Sequence, residues 1–124
     1  MKIYTTSRED YLKAILVLSQ GENKVRSIDV ANYLGFSKAS ISRAVSLLSE
    51  EGYLYVENHG LYLTNKGKEI AEMTYDKYYF FSKELINLGV NPKTAHEDAC
   101  RLEHAISDES FLKLKELFSS YHIA

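Results

Sequence analysis

Residues 37–54 read Ser37-Lys38-Ala39-Ser40-Ile41-Ser42-Arg43-Ala44-Val45-Ser46-Leu47-Leu48-Ser49-Glu50-Glu51-Gly52-Tyr53-Leu54. Ser37 is an N-cap residue type, with a hydroxyl that accepts from a first-turn amide. Behind it Ile41, Ala44, Val45, Leu47 and Leu48 recur at the spacing of one buried helix face. Glu50-Glu51-Gly52 closes that helix. Tyr53-Leu54-Tyr55-Val56 then reads as a strand, Glu57-Asn58-His59-Gly60 as a hairpin turn, and Leu61-Tyr62-Leu63-Thr64 as the returning strand. Just upstream, Ser27 to Gly35 is a short helix with Ser27 as its expected N-cap and Gly35 as its stop. Two helices joined by a glycine-containing turn and followed by a β-ribbon make a winged helix-turn-helix with a two-stranded wing.

The flanks complete the plan. Residues 7–19 open with Ser7, carry Glu9 and Asp10 in the first turn, and repeat Tyr11, Leu12, Ile15, Leu16 and Leu18 at helical spacing; Gly21, Glu22 and Asn23 end the segment. After the wing a long helix is expected from about Lys68 to about Asn87, stopped by Gly89. Asn91-Pro92 is an N-cap followed by proline at the first helical position, and opens a helix running to about Ile106. Ser107 or Asp108 caps a last helix carrying Phe111, Leu112, Leu114, Leu117 and Phe118. The expected fold is mainly α, with a winged helix over 1–70 and a helical unit over 71–124.

The composition narrows the function. The chain has 124 residues, 45% of them hydrophobic, enough for a core. Its single cysteine excludes an intrachain disulfide and suits a reducing cytosol. The start, Met1-Lys2-Ile3-Tyr4-Thr5-Thr6, carries no apolar run, and no stretch of about 18 apolar residues occurs, so neither a secretory signal nor a membrane span is expected. A cytoplasmic protein is the expectation. A net charge of −2 excludes nucleic-acid binding by bulk charge and leaves a local basic patch, doubled by dimer symmetry. No nucleophile–base–acid set, phosphate-binding glycine loop or His-Glu-x-x-His motif appears, so no enzyme is expected.

Two constellations carry chemistry. Between Gly35 and Ser49 lie Lys38 and Arg43, no acids, and the small hydroxyls of Ser37, Ser40, Ser42 and Ser46. Short polar residues let a helix approach a DNA groove, and an arginine reaches a guanine edge or a phosphate. Asn58, His59 and Lys66 add donors on and near the wing. The plainer reading is a solvated helix face; the wing that follows it argues for a DNA reader. The second constellation is His96-Glu97-Asp98-Ala99-Cys100-Arg101-Leu102-Glu103-His104. On a helix, His96, Cys100 and His104 fall at i, i+4 and i+8, with Glu103 beside them, so one face offers imidazole, thiolate and carboxylate. Divalent iron, cobalt, nickel and zinc favour such donors. A cysteine used for packing and two surface residues would be the plainer account.

Together these segments resemble the metal-dependent repressors of the diphtheria toxin repressor and manganese transport regulator family. The likeness rests on Glu9-Asp10-Tyr11-Leu12, SKASISRAVSLLSEEGYL, LTNKGKEIA after the wing, and HEDACRLEH near the end. It spans nearly the whole chain, whose length resembles the two-domain members without an SH3-like domain. It implies a winged helix, a helical dimerisation domain and a bound metal ion. Carried over by residue, Asp10, Cys100, Glu103 and His104 match the ligands, and His96 matches a histidine of an ancillary site. Ser37, Ala39, Ser40 and Arg43 fall where the family's recognition helix meets DNA, beside Lys38 and the wing residues Asn58 and His59 read above as DNA-binding candidates.

The chain departs from the family where a histidine usually stands on the long helix. Here the stretch is Lys77-Tyr78-Tyr79-Phe80-Phe81, and the acid one turn on appears as Ser82, with Glu84 close by. Manganese-type members carry acids in place of Lys13 and Cys100, so a thiolate tilts the choice to Fe(II), with Mn(II), Co(II), Ni(II) or Zn(II) as alternatives. The implied function is a homodimeric repressor that binds double-stranded operator DNA when loaded with metal. The competing readings are a winged-helix regulator that has lost metal dependence, a protein-binding winged helix, and a metal or redox protein on a winged scaffold.

Overall fold

The computed structural model describes residues 5–21 and 23–123, with backbone alone at 5–7 and 121–123. The order is α1 (Thr5–Leu18), α2 (Ser27–Leu34), α3 (Lys38–Glu50), β1 (Leu54–Glu57), β2 (Gly60–Leu63), α4 (Asn65–Asn87), α5 (Pro92–Ala105) and α6 (Asp108–Ile123). The chain divides into two compact units, one up to Glu72 and one from Met73. No helix among the described residues is long and apolar enough to cross a membrane.

The first unit is a winged helix. Its core gathers Leu12, Ala14 and Ile15 of α1, Val30 and Ala31 of α2, Ile41, Ala44 and Leu48 of α3, and Leu54 and Leu61 of the wing. Helix α1 begins two residues before the expected Ser7, whose side chain lies outside the described residues, as does Glu22. Ser27 is the first residue of α2 rather than its cap. The cap position belongs to Arg26, whose backbone N–H donates to the Asp29 carboxylate at 2.9 Å. An acid at the third helical position reaches back over the first turn and takes the work expected of Ser27. Gly35 ends α2 in the left-handed region (φ 73°), with its N–H on the Ala31 carbonyl at 2.8 Å. Ser37 caps α3 by accepting from the Ser40 amide at 3.1 Å.

The two strands pair antiparallel from Leu54↔Leu63 to Glu57↔Gly60. Asn58 and His59, at φ 48° and 66°, form a two-residue turn with both residues left-handed, the geometry that matches ribbon twist. The ribbon is tied to the α1–α2 loop: the Leu61 amide donates to the Val25 carbonyl at 2.8 Å, and Lys24 Nζ donates to the Asn58 carbonyl at 2.6 Å.

Thr64 decides where α4 begins. Its hydroxyl donates to the Gly52 carbonyl at 2.7 Å and accepts from the Gly67 amide at 3.1 Å. Its carbonyl accepts from Lys68 N–H at 2.8 Å. This cap starts the helix at Asn65, three residues before the expected Lys68.

In the second unit Asn91 caps α5 through its side chain, which accepts from Lys93 N–H at 2.9 Å. Ser107 caps α6, accepting from Ser110 N–H at 3.1 Å. Phe111 is fully buried and meets Phe80 edge to face, with ring centroids 5.5 Å apart; Phe118 meets Phe80 the same way at 5.3 Å.

Gly67 tests this packing. A methyl group there would land on the Tyr53 carbonyl oxygen, which is backbone and has no rotamer to yield. In an open helix Gly→Ala stabilises by about 1 kcal/mol. At this position Gly67→Ala is expected to destabilise instead, by about 1–3 kcal/mol. Chemical denaturation followed by circular dichroism checks the sign.

Candidate nucleic-acid interface and metal half-site

Helix α3 turns Ile41, Ala44 and Leu48 inward and so leaves Ser37, Lys38, Ala39 and Arg43 exposed. Ser40 is half-buried, and its hydroxyl is shared with that of Ser37 at 3.0 Å. Arg43 lines a shallow depression with Ser42, Ser46, Leu47 and Glu50. No acid occupies the first turn, where the unpaired amides favour an anion. Asn58 and His59 are exposed at the ribbon tip. Lys66 is turned away from the wing tip: its Nζ donates to the Glu51 carbonyl at 3.1 Å and lies 4.3 Å from the Tyr53 ring centre. Arg8 also approaches Tyr53, at 5.0 Å.

Asp10 sits on α1, half-buried, directly before Tyr11. Tyr11 is buried and meets Phe36 edge to face at 5.8 Å, one residue before the cap of α3. Burial pushes the Tyr11 hydroxyl above its ordinary pKa; Asp10 adds to this and Arg43 opposes it. One phenol thus feels both the candidate ligand on α1 and the candidate DNA-reading arginine on α3.

The buried stripe of α5 is Ala95, Ala99 and Glu103, an i, i+4, i+8 series whose first two members are small and whose last is a carboxylate. Glu103 is 1% exposed. Its Oε1 lies 3.3 Å from Nε2 of His104, whose side chain is 13% exposed. A carboxylate removed from water requires polar or cationic company, and the neighbouring imidazole supplies part of it. Two adjacent residues on the last turn of α5 therefore present an oxygen and a nitrogen donor side by side.

His96 is used differently from the shared face expected of it. Its Nδ1 lies 2.9 Å from the Tyr78 hydroxyl, and the two rings stack 5.9 Å apart. Tyr78 occupies the long-helix position where the resemblance leads one to seek a histidine. Ser82 is buried, with its hydroxyl on the Tyr79 carbonyl at 3.2 Å. Cys100 is exposed on α5, one turn before Glu103 and His104. Lys77 was not singled out by sequence reading. It is 5% exposed, and its Nζ donates to the Ile106 carbonyl at 2.9 Å and to Asp108 Oδ1 at 2.8 Å. A lysine inside the apolar series of a long helix was the available signal.

Two family models match the chain. The model described as iron dependent repressor, N-terminal DNA binding domain, matches residues 4–61. The model described as iron dependent repressor, metal binding and dimerisation domain, matches residues 64–122. An uncharacterised HTH-type transcriptional regulator of Methanocaldococcus jannaschii is 36% identical over 112 residues, covering 88% of this chain and 90% of that protein. The HTH-type transcriptional regulator MntR of Geobacillus thermodenitrificans is 30% identical over 114 residues, covering 91% and 81%. Among solved structures, the metal-dependent transcriptional regulator MtsR superposes with a TM-score of 0.84 at 28% identity over 94% of this chain. The manganese regulator SloR superposes with a TM-score of 0.79 at 31% identity over 90% of this chain. The chain spans 55% and 53% of the lengths of these two structures.

The Tyr78–His96 pair gives a direct check. Tyr78→Phe removes the hydroxyl from His96 Nδ1, and the ¹⁵N resonances of that ring are expected to move. Because the pair is exposed, the stability loss is expected to stay below about 1.5 kcal/mol. An unmoved imidazole spectrum would show that the bond does not form in solution.

Proposed function

Since the chain belongs to the iron-dependent repressor family, a family of metal-dependent transcriptional repressors, we propose that it is a cytoplasmic homodimer that represses transcription from operator DNA when loaded with a divalent transition metal. Asp10, Cys100, Glu103 and His104 are the proposed ligands of one ion. Fe(II) is favoured over Mn(II), because Cys100 supplies a soft thiolate where manganese-type members carry an acid.

The observation that carries this reading is the Glu103–His104 pair: a carboxylate 1% exposed, set 3.3 Å from an imidazole nitrogen. That donor chemistry suits a cation of the iron, cobalt or zinc type. On the DNA side, Ser37, Lys38, Ala39, Ser40 and Arg43 of α3 are the proposed contacts in the major groove, and Asn58 and His59 those of the wing. Arg43 reads base edges or phosphate, and Ser37 and Ala39 keep the helix N-terminus slim enough to approach.

When bound, the ion supplies positive charge that draws its ligands into one arrangement. Everything else is done by the chain. Asp10 is followed by Tyr11, which packs on Phe36 at the entrance to α3. Holding Asp10 therefore steadies the segment that leads into the recognition helix. In a dimer, two recognition helices must meet half-sites about 34 Å apart. An arrangement held in advance leaves less ordering to be done on DNA, and metal raises DNA affinity by binding that arrangement better than the alternatives.

A second reading has its own support. With Tyr78 engaged by His96 in place of a long-helix histidine, the chain would be a DNA-binding regulator without metal dependence. One experiment separates the two. DNA selected from a random library is titrated with protein under anaerobic Fe(II), under Mn(II), and after chelation. Chelation is expected to weaken binding by about tenfold or more, within the usual range of allosteric coupling. Glu103→Gln is expected to remove the metal response and keep the metal-free affinity. Arg43→Ala is expected to cost about 1–3 kcal/mol per half-site with or without metal. Equal affinity before and after chelation returns the metal-blind reading.

A further inference from the structure

The second unit contains a buried lysine that neither the DNA-binding surface nor the ligand set uses. Lys77 of α4 crosses to the point where α5 ends and α6 begins. Its Nζ holds the carbonyl of Ile106, the C-cap residue of α5, at 2.9 Å, and Asp108 Oδ1, at the first residue of α6, at 2.8 Å. The next residue, Tyr78, holds His96 near the other end of α5. Two consecutive residues of α4 thus clasp α5 on both sides of the segment containing Cys100, Glu103 and His104.

The lysine end of the clasp bears on Glu103 and His104. Both lie in the last turn of α5, where carbonyls lack partners within the helix and fraying begins. The Lys77 ammonium sits just past that turn, on the carbonyl of Ile106, and a cation near a helix C-terminus is favoured by the helix dipole. A buried ammonium gives up hydration, and stays ordered only because the carbonyl and the carboxylate replace water. Lys77 therefore does not merely fill space; it ties the residue that follows the last turn of α5 to the first residue of α6. Donor atoms for a metal must be held within about 0.5 Å of their working positions by the residues around them.

We propose that Lys77 is a positioning residue for the metal site: it orients Glu103 and His104 by anchoring the Ile106 carbonyl and Asp108. The inference rests on the metal-binding reading above. Co(II) is the probe, because its visible absorption reports coordination geometry independently of DNA binding and of stability. The full chain is compared with Lys77→Met, Asp108→Asn and Phe118→Leu, the last removing aromatic packing in the same unit while leaving the Lys77 hydrogen bonds in place.

Titrations are run well below each melting temperature, with folding checked by circular dichroism. Lys77→Met is expected to bind Co(II) about tenfold more weakly, the loss usual when a group supporting metal ligands is removed, and with an altered visible spectrum. Asp108→Asn is expected to shift both readouts in the same direction by less; it decides the matter if Lys77→Met does not fold. Phe118→Leu is expected to lose stability and keep the wild-type affinity and spectrum. Wild-type affinity and spectrum in the Lys77 and Asp108 variants overturn the proposal alone, as does an equal loss in Phe118→Leu. Absence of Co(II) binding by the wild-type chain overturns the metal reading, and this inference with it.

Discussion

One threonine ties the base of the wing to the helices on either side of it in sequence. The Thr64 hydroxyl donates to the carbonyl of Gly52 and accepts from the amide of Gly67. The backbone closes the same knot, with Thr64 N–H on the Tyr53 carbonyl at 3.1 Å. The exit of α3, the base of the ribbon and the first turn of α4 therefore meet at Thr64. Gly67 is required there because Tyr53 comes too close for any side chain. What reads as a sequence motif, LTNKG, is a small hydrogen-bonded joint that sets the ribbon's direction relative to the recognition helix. That joint, the shared core and the tie of the ribbon to the α1–α2 loop together set the mutual placement of Ser37, Arg43, Asn58 and His59.

The second unit faces a different constraint. Helix α5 must keep a carboxylate on its inward stripe without making the fold fail. Alanine at 95 and 99 lets that stripe pack closely, and His104 gives Glu103 a polar neighbour. The same feature that is costly for folding is useful for holding a cation, since a dry carboxylate is a stronger ligand than a hydrated one. On the first unit, Tyr11 plays the complementary part: it is buried among apolar groups while sensing the charges of Asp10 and Arg43. A proposed ligand and a proposed DNA contact are therefore electrostatic neighbours of one side chain.

Elements set by local chemistry were legible in the sequence. The helix-turn-helix, the hairpin and the Asn91-Pro92 helix start follow from spacing, glycine and caps, and the family likeness agrees with the two matched family models. Boundaries that depend on a reaching side chain were not. Asp29 displaced Ser27 as the group that closes α2, and Thr64 drew α4 forward to Asn65. The sequence offered a set of candidate donors on α5, but spacing alone could not say which neighbours each would take. His96 shares the i, i+4, i+8 series with Cys100 and His104, yet Tyr78, eighteen residues away, takes it up. Lys77 was missed for the same reason: its partners, Ile106 and Asp108, lie about thirty residues on and leave no periodic trace.

The tether between Lys24 and the ribbon tip has a consequence for binding and for salt. By donating to the Asn58 carbonyl, that exposed ammonium holds the ribbon tip to the α1–α2 loop and keeps its positive charge beside the turn. The ribbon is thereby shaped in advance, so the proposed wing contact would need less ordering on binding. The salt response of a DNA contact made there would follow the number of phosphates neutralised by local cations, and not the net charge of −2 carried by the whole chain.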